Sequence, residues 1–266
     1  MIDFRPLKKE DKPLLDRYFH ANYYENSHFN FTNLYMWRAP FFVHIAEEDD
    51  VLYVASEWKG ILSLLQPFCD PSRYPEATKK LIAYFEEVEQ PLHLYDMERG
   101  YADYLRSCDF ADFDVVADRD NYDYVYLSEK LISLAGRKLH SKKNHLNAFR
   151  KEHPEAEYLP ITEDVVTQCK LELNSWYKQH IRGDGTIDPF IEYERTAILE
   201  VLNDFDYFGL QGGAVRLGGR IVAFTFGEQL NTDTAVIHVE KADPEVRGAY
   251  PAINQGFVEH AWSHLT

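Results

Sequence analysis

Two stretches of this chain repeat one another's order: "DPSRYPEA" from Asp70 and "DPEVRGAYPA" from Asp243 both run from Asp-Pro to Tyr-Pro and on into helix-forming sequence. Each follows three short runs with the two-residue alternation of strands. In the first copy these are FFVHIA, VLYVASE and ILSLL, separated by turns at EEDD and WKG. In the second they are GLQGGAVRL, RIVAFTFGEQL and TAVIHVEK, separated by turns at Gly218-Gly219 and Asn231-Thr232-Asp233. A meander, a loop and a helix, met twice, constrain the chain to two units of one α/β (α+β) plan, each with a central sheet flanked by helices. The 266 residues suffice for two cores. The boundary falls near residues 120–128, giving an N-terminal domain at 1–125 and a C-terminal domain at 126–266.

Between these landmarks the first half continues with an amphipathic helix at PEATKKLIAYFEEV, which gathers Leu81, Ile82 and Phe85 on one face. A strand at PLHLYDM and a short helix near Tyr101 to Ser107 follow, and apolar segments at FDVVA and YDYVYL close this half. The second half opens with helices at Ser128 to Ala135 and Lys138 to Lys151. A long helix follows the cap-like Thr162, with Val165, Val166, Cys169, Leu173 and Trp176 at helical spacing, and Asp188-Pro189 starts another that ends near Phe205. The last helix runs from Pro251 to about Leu265. The dense aromatic run YFHANYYENSHFNFTNLYMW reads as core, because so much ring surface is seldom left in water.

A net charge of −16 disfavours non-specific binding to nucleic acid or to anionic membrane, unless cations are gathered locally. They are gathered once. No acid stands between Glu129 and Glu152, and Arg137, Lys138, Lys142, Lys143, Arg150 and Lys151 all fall there. Such a run is either a solvated helix face or a track for phosphates. Cys69, Cys108 and Cys169 are scattered, without metal-site spacing, and read as reduced thiols. No metal site, nucleophile elbow or Walker loop is present. The N-terminus lacks the order of a signal peptide and no apolar run approaches a membrane span, so a bacterial cytoplasmic protein without stable membrane insertion is expected.

The residues Val246, Arg247, Gly248, Ala249, Tyr250, Ala252 and Asn254 form the most distinctive junction, a glycine-bearing loop running from a strand into a helix. Glycine permits close backbone approach and a helix N-terminus favours an anion. A meander, such a loop and such a helix resemble the acyl-CoA site of the GNAT acetyltransferases, although only the central glycine matches their usual loop cleanly. "FTNLYMWR" at Phe31 to Arg38, "GRKLHSKKNHLNAF" at Gly136 to Phe149, and "RGAYPAINQGF" at Arg247 to Phe257 are more specific. With them the chain resembles, over nearly its whole length, the bacterial family related to the C-terminal domain of phosphatidylglycerol lysyltransferase. That resemblance implies two tandem GNAT-like acyltransferase domains with mixed central sheets, as in the Fem aminoacyl transferases. Of the two repeated loops only the second has the glycine, so the first domain is expected to have a degenerate donor site. A complete GNAT domain has more strands after its pyrophosphate helix, so the second is expected to lack its last strands.

Acyl transfer to an amine or hydroxyl needs a base near the donor carbonyl. Strand alternation puts His238 and Glu240 on one face of TAVIHVEK, with Ile237 and Val239 on the other, so these two are the candidate catalytic residues. The loop residues and Asn254 would hold the pyrophosphate of coenzyme A or acyl-CoA, the expected donor. Gly248→Val is expected to abolish that binding and leave the fold intact. An aminoacyl-tRNA donor would instead use the basic patch at Arg137, Lys138, Lys142 and Lys143. A non-catalytic module that binds coenzyme A or a nucleotide and keeps the GNAT shape is the alternative to an enzyme.

Overall fold

A computed structural model describes residues 2–265 and divides the chain into two compact units, Met1–Asp123 and Tyr124–Thr266. The first unit contains β1 (Arg5–Pro6), α1 (Lys12–Phe19), α2 (Phe31–Met36), β2 (His44–Glu48), β3 (Val51–Trp58), β4 (Ile61–Leu64), α3 (Tyr74–Glu87) and α4 (Arg99–Ser107). Its sheet is four-stranded in the order β1-β2-β3-β4. Tyr53, Ala55 and Leu64 of that sheet pack on Ala77, Leu81 and Phe85 of α3. The aromatic run forms core as expected: Phe19, Tyr24 and Phe29 set their rings edge-on to Phe68.

The second unit contains α5 (Ser128–Ser133), α6 (His140–Glu152), β5 (Glu157–Pro160), α7 (Glu163–Lys178), α8 (Pro189–Asn203), α9 (Phe205–Phe208), β6 (Gln211–Leu217), β7 (Arg220–Gln229), β8 (Ala235–Ala242) and α10 (Ala249–Ala261). Its sheet is four-stranded in the order β5-β6-β7-β8. Val215, Ala223 and Ala242 on one face meet Ala249 and Ile253 of α10. On the other face Phe224 stacks on Trp176 of α7, and Phe226 meets Phe205 of α9 edge-on. The strand pairs are antiparallel in both sheets, and one isolated parallel bridge joins Leu64 to Leu94.

Several elements differ from the sequence reading. PLHLYDM contributes only that single bridge, and FDVVA and YDYVYL form no strand; Tyr124 and Val125 are among the most exposed apolar residues of the chain. Apolar alternation proposes a strand, but a strand exists only when a second one pairs with it. Conversely β5, which carries Pro160 on a sheet edge where a proline is tolerated, gave no alternation to read. The last helix begins at Ala249, two residues before Pro251, and this costs nothing because the first four amides of a helix have no partner within it.

Candidate functional site

The end of β8 nearest α10 carries the predicted acid. Glu240 sits opposite Thr225 on β7, on the face covered by α10, and Asn254 donates from Nδ2 to its Oε2 at 2.8 Å. Burial raises the Glu240 carboxyl above its ordinary range, while the Asn254 hydrogen bond and the charge of Lys142 pull it partly back. Lys142 comes from α6, so the basic helix begins beside this carboxylate. Its ammonium also lies 5.9 Å from the centre of the Tyr126 ring. A partly desolvated carboxylate held by an amide and faced by a cation is suited to accept a proton from a nucleophile.

His238 does not share that corner. The pairing runs from Phe226 with Val239 to Gly227 with Ile237, so β8 holds one residue more than β7 at this point and His238 is the extra one. Such a bulge breaks the two-residue alternation. Gly227 makes room for it, since a Cβ there would lie 2.2 Å from the Val236 carbonyl oxygen. His238 turns its Nε2 to Glu228 Oε1 at 2.8 Å, with its side chain only 3% exposed. Glu228 alternates along β7 with Phe224 and Phe226, which pack on α7 and α9. The expectation that His238 and Glu240 work side by side on one face is therefore corrected: they are partnered on opposite faces.

The glycine loop also has a different local cause from the one expected. Asp243 is buried and accepts from the Glu245 amide at 3.0 Å and from Arg220, which fixes the loop's start. Gly248 is left-handed at φ 87°, and a Cβ on it would fall 2.6 Å from the His145 carbonyl oxygen and 2.8 Å from Phe149 Cβ. The glycine is needed so that the loop can lie against α6. Gly248→Val consequently would not leave the fold intact, because the new atoms meet backbone. Val246, Ala249 and Ala252 pack into the core cluster between sheet and helix, whereas Arg247 and Tyr250 are exposed. Among the loop amides, that of Ala249 goes to the Val246 carbonyl and that of Ala252 to the Gly248 carbonyl, and Pro251 has none. Among the described residues the amides of Arg247, Gly248 and Tyr250 have no backbone acceptor.

The basic run lies on α6 and the turn before it. Leu146 and Phe149 are buried, while Arg137, Lys138, Lys142, Lys143, Arg150 and Lys151 are exposed. Arg247 joins them, its Nε 3.5 Å from His145 Nδ1. None of these seven forms an ion pair among the described residues, whereas Arg195, Arg216, Arg220 and Lys241 of the same unit each hold a carboxylate.

One participant and one approach escaped the sequence reading. Glu228 is recoverable in hindsight from the hairpin, where it pairs with Val236 two residues from His238. The approach of Lys142 to Glu240 depends on how α6 crosses α10, which no local pattern encodes.

Residues 21–266 match the family described as "Phosphatidylglycerol lysyltransferase, C-terminal". The chain belongs to that family. It is 30% identical to a conserved protein of unknown function from Bacteroides thetaiotaomicron VPI-5482, covering 99% of this chain and 88% of that one with a TM-score of 0.83. The structure of L-PGS from Bacillus licheniformis covers 96% of this chain and 74% of that one with a TM-score of 0.55, and at 12% identity the likeness is one of fold. An uncharacterised protein of Mycoplasmoides gallisepticum is 22% identical over 218 residues, 73% of this chain and 67% of that protein. No helix among the described residues is long and apolar enough to cross a membrane.

Proposed function

We propose that the second unit is an aminoacyl transferase, which moves an amino acid, a lysyl group in the sense of the family's description, from an aminoacyl-tRNA to a hydroxyl or amine acceptor. The observation that carries this reading is the placement of Glu240 where the unpaired basic strip of α6 begins. In the reaction the acceptor oxygen or nitrogen attacks the ester carbonyl, its proton passes to Glu240, and the bond to the ribose oxygen breaks. That ribose oxygen takes up the proton that Glu240 received and leaves as a hydroxyl. Asn254 orients the carboxylate, and the α6 cations hold the phosphates of the donor.

The sequence reading ranked coenzyme A first as donor. Membership of a lysyltransferase family lends it no support, and the contact of Gly248 with α6 removes the main reason for a pyrophosphate seat there. Coenzyme A remains the competing donor in the test. Purified protein incubated with lysyl-tRNA and a panel of amines, hydroxyl compounds and phosphatidylglycerol vesicles should release free tRNA and yield a lysylated product. Replacing Lys142 and Lys143 with Glu should weaken tRNA binding and reduce its salt slope by about 1–2, at roughly 0.7–0.9 per phosphate contact. Thiol release from acyl-CoA with an inert lysyl-tRNA would transfer the reading to the thioester. Ligand binding without any product would favour the non-catalytic module, and basic-strip variants that lose vesicle binding but keep tRNA binding would make the strip a membrane contact.

A further inference from the structure

Away from the Glu240 corner, α6, β5 and α10 enclose a cleft of about 370 Å³. That volume lies within the roughly 300–1,000 Å³ usual for small-molecule sites. Phe149 and Leu146 contribute an apolar floor, and the wall is a pair of rings, Tyr158 and His260, stacked with centroids 4.1 Å apart and 15° between planes. Two glycines allow this wall to form. A Cβ on Gly213 would lie 2.3 Å from the Tyr158 hydroxyl oxygen, and one on Gly256 2.8 Å from its ring. His260 is oriented as well: its Nδ1 donates to the Gly256 carbonyl at 2.7 Å.

The rim is polar on both sides. Arg150 and His153 come from the end of the basic helix, with Arg150 Nη2 donating to Gln255 Oε1 at 2.6 Å, and Glu259 comes from α10. Glu157, also at the rim, is already held by Arg216 at 2.6 Å. An aromatic wall, a guanidinium on one side and a carboxylate on the other are the groups that recognise a nucleotide: a base stacks on the rings, a phosphate meets Arg150, and ribose hydroxyls donate to Glu259. A lipid chain would use the floor but leave the stacked rings and both rim charges unmatched. We infer that this cleft binds a single unpaired nucleotide which, on the tRNA-donor reading above, belongs to the acceptor end of the tRNA.

The test titrates the full chain with AMP, adenosine, ribose 5-phosphate and inorganic phosphate, read by calorimetry and by ligand-observed NMR. AMP should bind; adenosine and ribose 5-phosphate should each bind at least tenfold more weakly, since each lacks one half of the recognition. His260→Ala should weaken AMP about tenfold or more, and Arg150→Gln should weaken AMP while leaving adenosine unchanged. His260 and Arg150 are exposed, and circular dichroism of each variant checks that the fold is kept. The Lys142, Lys143 double variant should bind AMP like the parent, because those lysines lie outside the cleft. No AMP binding at millimolar concentration, equal binding of inorganic phosphate alone, or insensitivity to both cleft variants overturns the proposal. AMP binding that the cleft variants abolish, in a protein that transfers no lysine, would keep the cleft site and sink the transferase reading.

Discussion

The third meander strand ends differently in the two units. In the first, β4 carries no carboxylate, and the chain returns beside it: the Leu64 amide donates to the His93 carbonyl at 3.0 Å and the Tyr95 amide to the Leu64 carbonyl at 3.0 Å. Ser63 and Ser56 are tied to His93 and Tyr95 in turn. The following loop closes on itself, with Asp70 accepting from the Ser72 amide and Arg73 paired to Glu76, and it leads directly into α3. In the second unit, β8 has a bulge, a carboxylate and, among the described residues, no strand on its outer edge. Its loop is longer, contains Gly248 and leans on a basic helix. The third meander strand is thus flanked by a returning segment in the first unit, whereas in the second it carries a partly buried carboxylate held by Asn254.

The largest effect should come from removing the acid that the first unit lacks. Glu240→Gln should lower lysyl transfer about 10²–10⁴-fold, the usual contribution of a positioned base. His93→Ala in the first unit should leave turnover unchanged, and a comparable loss there would break the comparison. Turnover of the parent should rise with pH through the Glu240 ionisation, which burial places above the ordinary carboxylate range. Stability runs the other way. A carboxyl whose pKa is raised on folding is bound more tightly to its proton in the folded state, so the parent loses stability as pH rises from the ordinary to the raised value. Chemical denaturation should accordingly find Glu240→Gln as stable as the parent, or more so, at pH 7–8, with that advantage vanishing in acid.

Next in size is Gly248→Val, which combines a left-handed backbone with a clash against a carbonyl oxygen. A strained backbone position alone costs about 1–3 kcal/mol, and the contact adds to it, so the melting transition of the second unit should fall or disappear. Placing Val at Arg73, the last loop residue before α3, should cost little, because nothing there demands glycine. A smaller pair of effects sharpens the contrast between the two aspartates. Asp70→Ala removes an exposed cap and should cost little by urea denaturation. Asp243→Ala also strips Arg220 of a buried partner and should cost more, about 2 kcal/mol. Equal losses would mean that the ion pair with the half-exposed Arg220 adds nothing.

Legibility in the sequence followed the range of the interactions concerned. Leu81 and Phe85 of α3, and Val165, Val166, Cys169, Leu173 and Trp176 of α7, announce buried helix faces through spacing alone, and all are buried. The hairpin of β7 and β8 was equally plain. The phase of β8 was not, because alternation cannot count an inserted residue; Gly227 was the available sign, as a glycine inside a strand commonly marks a bulge. The segments FDVVA and YDYVYL misled because apolar content says nothing about which strand would pair with them. Glu240 could be named as a candidate from its strand, whereas the approach of Lys142 to it and the cleft beside Tyr158 depend on how α6 packs on α10. Gly248 lies against His145 and Phe149 of α6, and Gly256 against the Tyr158 ring, contacts between residues distant in sequence.

The bare Cα at Gly248 also has a consequence for hydrogen exchange. With no side chain to act as a spacer, the loop before α10 and the middle of α6 touch backbone to side chain and backbone to backbone, so neither can open while the other keeps its contacts. Amides of the second half of α6 and of the first turns of α10 should therefore exchange as one cooperative block, and a nucleotide resting on either helix would slow the exchange of both.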